Sequence, residues 1–70
     1  MRPNSNFETL YNLVFNIDGS EKACDKQIKQ QLIKIANHLN PGLDFGDIKT
    51  GRININNMNT LYMAYMQFGE

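Results

Sequence analysis

The chain contains one cysteine and one histidine, Cys24 and His38, and this scarcity removes two ways of holding a small fold together. A single thiol cannot form a disulfide within its own chain. One Cys and one His cannot fill the four ligand positions of a structural zinc site. At 70 residues the chain reads as a single domain, 1–70, near the lower limit of what folds alone. A domain of this size buries only roughly 60–65% of its unfolded surface and is expected to be stable by a few kcal/mol. Core packing or a partner must supply the rest.

A surplus of charge is also missing. Seven basic residues balance seven acidic ones. A dedicated nucleic-acid binder normally carries a basic excess, because phosphate contacts supply most of its affinity. An acidic mimic of DNA would need the opposite imbalance. The balance favours a protein or small-molecule partner and disfavours nucleic acid. Long apolar runs are lacking too. No segment approaches the ~20 apolar residues of a membrane span. Near the N-terminus the apolar stretch is broken by Asn6, Glu8, Asn12, Asn16 and Asp18, which no signal peptide shows. A cytoplasmic location is expected, in keeping with a lone thiol.

What is present is helical periodicity. Ser5-Asn6-Phe7-Glu8 has the form of a capping box, and Phe7, Leu10, Tyr11, Val14 and Ile17 come next at helical spacing, with Leu13 and Phe15 widening the face. This predicts a first helix over about 6–17. A competing reading makes Leu13–Ile17 a buried strand. Asp18-Gly19-Ser20 breaks the pattern, with Asp18 or Ser20 available to cap the next helix. That second helix is predicted over about 21–39, its apolar stripe formed by Cys24, Ile28, Leu32, Ile35, Ala36 and Leu39. Asn40-Pro41-Gly42 ends it, because the residue before proline avoids helical geometry. Leu43, Phe45 and Ile48 are anchors for residues 43–55, which read as a short irregular loop or β-hairpin. Asn56 or Asn57 then caps a third helix over about 57–68, closed by Gly69. The expected fold class is mostly α: a three-helix small domain with an insertion between helices two and three.

Four constellations bear on function. Cys24 and His38 fall fourteen residues apart on the second predicted helix, about 21 Å at 1.5 Å per residue, so they form no dyad there. Cys24 reads as an inert core thiol, and His38 as a favourable charge against the helix dipole. No other group supports a general base, and no enzyme activity is expected.

Thr50-Gly51-Arg52-Ile53-Asn54, followed by Asn57 and an apolar helix, resembles the later half of an EF-hand loop. Gly46-Asp47 through Met66 is similar to a degenerate dockerin repeat, over about twenty residues. With Gly51 in the invariant glycine's place, the ligand positions fall on Gly46, Ile48 and Asn57, and Arg52 adds a positive charge. The resemblance therefore implies shared turn geometry, with no metal ligand set and no cofactor. A calcium-responsive reading would have to draw on Asp44, Asp47 and Asn54.

Lys22, Lys26 and Lys29 lie at i, i+4 and i+7 on the second predicted helix, with Lys34 to the side. Together with Arg52 they form the alternative, nucleic-acid-binding set, moderated by Glu21 and Asp25 and lacking an aromatic to stack a base.

Finally, Ile53 to Gly69 carries no charged residue. Met58, Leu61, Tyr62, Tyr65, Met66 and Phe68 span roughly 160° of a helix at 100° per residue, with Met63 beyond one edge. Part of this face is expected to form the core. Tyr62, Met63, Tyr65, Met66 and Phe68 are the candidate partner-binding residues, since tyrosine and methionine are enriched at interfaces and methionine adapts its shape. The expected function is a non-enzymatic protein-binding module, a regulator or inhibitor of a larger protein machine, with homodimerisation as one mode. Asn, Ile and Lys richness suits an AT-rich genome, and the size suits a phage or mobile-element protein of the host-takeover or anti-defence kind.

Overall fold

The computed structural model describes residues 5–68, with side chains described from Asn6 to Tyr65. Three helices are present, α1 (Ser5–Val14), α2 (Lys26–Leu39) and α3 (Ile55–Phe68), with strands β1 (Gly46–Asp47) and β2 (Arg52–Ile53) between the last two. The strands form an antiparallel hairpin in which Gly46 pairs with Ile53 and Asp47 with Arg52. The three-helix architecture matches the expectation, and the insertion is the hairpin. The expected capping box needs the Ser5 side chain, and the closing Gly69 lies beyond residue 68; both fall outside the described residues.

The first helix ends at Val14, three residues earlier than the periodicity predicts. Phe15, only 2% exposed, leaves the helix to form an isolated antiparallel bridge with Glu21. Lys22 N–H donates to the Val14 carbonyl at 2.6 Å, and Asn16 N–H to that of Ser20 at 2.7 Å. Asp18 accepts from the Ser20 amide at 2.9 Å and its hydroxyl at 2.7 Å, and Gly19 takes φ 90° to close the turn. These bonds hold residues 21–25 against the end of α1, so α2 starts at Lys26 and not at 21. Helix propensity yields to this pairing. Asp18 and Ser20 stabilise their own turn and do not cap α2. Asp25 takes the cap position, but its side chain makes no capping bond.

Phe7, Tyr11, Val14, Phe15, Leu32, Ile33, Ala36, Phe45, Met58 and Leu61 form the core, with no buried polar or charged residue among those described. Ile33 lies outside the predicted α2 stripe and is nevertheless fully buried. The reason is that α2 packs against α1 as well as both strands, so its apolar face is wider than one neighbour requires. Of the three anchors expected in 43–55, Phe45 is fully buried, while Leu43 and Ile48 are exposed.

The hairpin is clamped to α2. Gln30 Nε2 donates to the Ile48 carbonyl at 2.7 Å and the Lys49 carbonyl at 3.2 Å. Gly51, buried at φ 75°, lies where an added Cβ would sit 3.1 Å from Lys26 Cγ and 3.3 Å from the Lys26 carbonyl oxygen. Asn54 joins the hairpin to α3. Its amide donates to the Phe45 carbonyl at 3.0 Å, and its Oδ1 accepts from Asn57 N–H at 3.2 Å, an N-cap geometry. Asn54, rather than Asn56 or Asn57, is therefore the cap, and α3 begins two residues earlier than predicted.

Two glycine substitutions should separate these constraints. In Gly51→Ala, the left-handed backbone and the contact with Lys26 should cost about 1–3 kcal/mol. At Gly46 (φ 133°) a Cβ would lie 2.2 Å from the Arg52 carbonyl oxygen, so Gly46→Ala must part the strands and should cost more. Urea denaturation midpoints of the two variants and the parent test this order.

Candidate functional site

An aromatic ladder joins α1 to α3. Tyr11 and Tyr62 stack with ring centroids 3.8 Å apart and planes 4° from parallel, and Phe15 stacks on Tyr11 at 4.6 Å. Phe7 meets Tyr65 at 5.5 Å and Tyr62 at 6.3 Å in tilted arrangements. Such pairs contribute about 0.5–1.5 kcal/mol each beyond the area they bury. The Tyr11 hydroxyl donates to Asn59 Oδ1, tying the ladder to the polar side of α3. Burial, and then the proximity of Tyr62, push the Tyr11 phenol above its usual 10.0.

Beside this ladder lies a groove of about 400 Å³, lined by Tyr11, Asn12, Asn16, Ile17, Asp18, Gly19, Asn59, Tyr62 and Met63. Two large apolar side chains in it face water: Met63 is 57% exposed and Ile17 is fully exposed. The Asp18 carboxyl, held below its usual range by the hydrogen bonds from Ser20, is the only formal charge in the lining.

Of the partner-binding residues expected from sequence, the structure brings Tyr62 and Met63 into this groove. Tyr65 is half-buried against the core through Phe7. The side chains of Met66 and Phe68 lie outside the described residues. Tyr11 is buried in the core, as the helical spacing expects, and its edge also lines the groove, whereas Ile17, assigned by the same spacing to the core face, is fully exposed there. For Ile17 a sequence signal exists, because a residue directly before Asp18-Gly19 belongs to a turn and not to a helix face. Nothing in the sequence marks the stacking of Tyr11 on a residue fifty-one positions away.

The basic set divides. Lys22 lies outside α2, and its Nζ donates to the Asn12 carbonyl at 3.0 Å. Lys26, Lys29 and Arg52 come together around a cavity of about 520 Å³, which Glu21, Cys24, Thr50, Gly51, Ile53 and Ile55 complete. Lys29 pairs with Glu21 at 3.0 Å, which holds its ammonium above the usual range. Cys24 precedes α2 and is half-buried in this lining; it does not share a helix with His38, so the helical-rise separation does not apply. His38 is exposed in the last turn of α2.

Asp44, Asp47 and Asn54 line a third cavity, of about 360 Å³, with Gly46, Arg52 and Ile53. Their oxygens are engaged by local amides: Asp44 Oδ1 accepts from Gly46 N–H at 3.0 Å, and Asp47 Oδ1 from Lys49 N–H at 2.9 Å. Among the described residues, no group of three or more His, Cys, Asp or Glu is placed to hold a metal ion. Among the same residues, no helix is long and apolar enough to cross a membrane.

The raised Tyr11 pKa has a consequence for stability. Between the unfolded and folded pKa values the unfolded chain binds fewer protons, so stability falls as pH rises. The contribution is complete below pH 10.0 and is lost as pH climbs through the higher folded value. Urea midpoints taken from pH 8 upward should decline above about pH 10, and Tyr11→Phe should make that decline shallower. Comparison with known protein families, curated proteins and solved structures gave no match for this chain.

Proposed function

We propose that this chain is a non-enzymatic protein-binding module that captures its partner in the groove between α1 and α3. The observation that carries this reading is the exposure of Ile17 and Met63 in one groove, beside the stacked rings of Tyr11 and Tyr62. Fully burying an apolar side chain of this size contributes about 1.5–3 kcal/mol, so a partner that covers both gains substantially. The amides of Asn12, Asn16 and Asn59 offer donors and acceptors around that apolar patch, the pairing that gives an interface its specificity. Tyr62 fixes the shape of the groove, Tyr65 packs on Phe7 away from its lining, and Met63 adapts to what enters it.

A domain of 70 residues that binds through one groove acts by occupying a surface of something larger. We read it as a cytoplasmic regulator or inhibitor of a larger protein machine. The small size and the lack of a catalytic or cofactor motif are what suggest an origin in a phage or mobile element, and the composition suits an AT-rich genome.

A photo-crosslinking amino acid placed at position 63 should capture a defined partner in cells, identified by mass spectrometry. Ile17→Glu should abolish that capture while the thermal midpoint stays within a few degrees of the parent, because Ile17 packs against nothing that a charge would disturb. Light scattering in parallel reports whether the partner is a second copy. Capture that persists in Ile17→Glu, with the fold intact, would overturn the groove as the binding surface.

A further inference from the structure

We propose that the cavity between the first turn of α2 and the hairpin binds a phosphomonoester dianion carried on a small molecule. Three cations from two separate elements converge there: Lys26 and Lys29 from α2, and Arg52 from β2. Their meeting is a result of the hairpin clamp, since Gly51 seats the hairpin turn directly on Lys26 and Lys29. Among the described residues, Lys29 has a carboxylate partner in Glu21, whereas Lys26 and Arg52 have none. Three positive charges against the single carboxylate of Glu21 leave a surplus of two in the lining.

That surplus matches the charge of a phosphomonoester, about −1.5 to −2 at neutral pH. Arg52 supplies a planar fork of donors and Lys26 a mobile ammonium, the two side chains that recognise phosphate best. Thr50 Oγ1 accepts from the Arg52 amide at 3.3 Å and keeps its own proton to donate. Ile53, Ile55 and Cys24 form an apolar side for the carbon skeleton of the ligand.

The same geometry disfavours a nucleic-acid strand. A strand needs a continued track of cations, and the row stops here, because Lys22 is turned away to the Asn12 carbonyl. No aromatic ring lines the cavity to stack a base. A phosphodiester, with one charge, would leave half of the surplus unmatched.

Titrations of the full chain, monitored by amide chemical shifts at pH 7.5 and fixed ionic strength, test this with five probes. Inorganic phosphate and methyl phosphate should saturate shifts at Lys26, Lys29, Gly51 and Arg52, with dissociation constants on the order of 1 mM. Dimethyl phosphate should bind about tenfold more weakly. Lys26→Gln and Arg52→Gln, both at exposed positions that tolerate glutamine, should each weaken phosphate roughly tenfold; their unchanged spectra elsewhere would show the fold intact. Absence of saturation by about 10 mM phosphate would overturn the site, as would equal binding by the two variants. A single-stranded oligonucleotide that binds more tightly than methyl phosphate and shifts Lys22 and Lys34 would replace this reading with a nucleic-acid track. A phosphoserine peptide that binds more than tenfold more tightly than methyl phosphate would assign the phosphate to a protein.

Discussion

The seating of the hairpin on α2 is the constraint on which the rest of the molecule depends. With one cysteine, and with no metal-ligating cluster among the described residues, a chain this short must make each element bury something against another. The hairpin has only two residues per strand, too few to be stable alone. It persists because Gly51 allows its turn to approach the α2 backbone, Gln30 satisfies two turn carbonyls, and Phe45 enters the core. Asn54 then links the hairpin to α3 from both its amide and its side chain. Helix, turn and cap form one continuous chain of dependencies.

The other half of the fold relies on rings. α3 reaches α1 through Tyr62 and Tyr65 meeting Tyr11 and Phe7, and a side-chain hydrogen bond crosses from Tyr11 to Asn59. Long flat side chains set the spacing, so a hollow remains beside them where a closer helix pair would leave none. The charge-free character of α3 serves two ends. It lets one side of the helix enter the core, and it leaves Met63 exposed with no charge beside it on the same helix.

Periodicity locates the helices well, because an amphipathic stripe is a local property. The ends of the elements are less readable, and each discrepancy has a cause remote in sequence. α2 starts late because Glu21 pairs with Phe15 and Lys22 with Val14. α3 starts early because Asn54 is pinned to Phe45. The charge-free helix points to Tyr62 and Met63, and the structure places both in the groove. Ile17 is hidden from a periodicity argument because its spacing continues the face of α1 while its backbone already belongs to the turn. The lysine row looks like one stripe in sequence, yet only Lys26 and Lys29 of it share a helix at the cavity. Arg52 joins them through the Thr50-Gly51 turn, and nothing local in the sequence says that this turn is seated on α2.

The Tyr11–Asn59 bond closes a separation of 48 residues, whereas the Gln30–Ile48 bond closes 18. The longer loop costs about 0.9 kcal/mol more in chain entropy. By loop closure alone the α2–hairpin contact is the easier of the two to form, while α1 is held chiefly by its packing on α2. The surface that offers Ile17 and Met63 thus lies on the seam whose closure spans the longer stretch of chain, so the shape of that wall is settled by residues at opposite ends of the sequence.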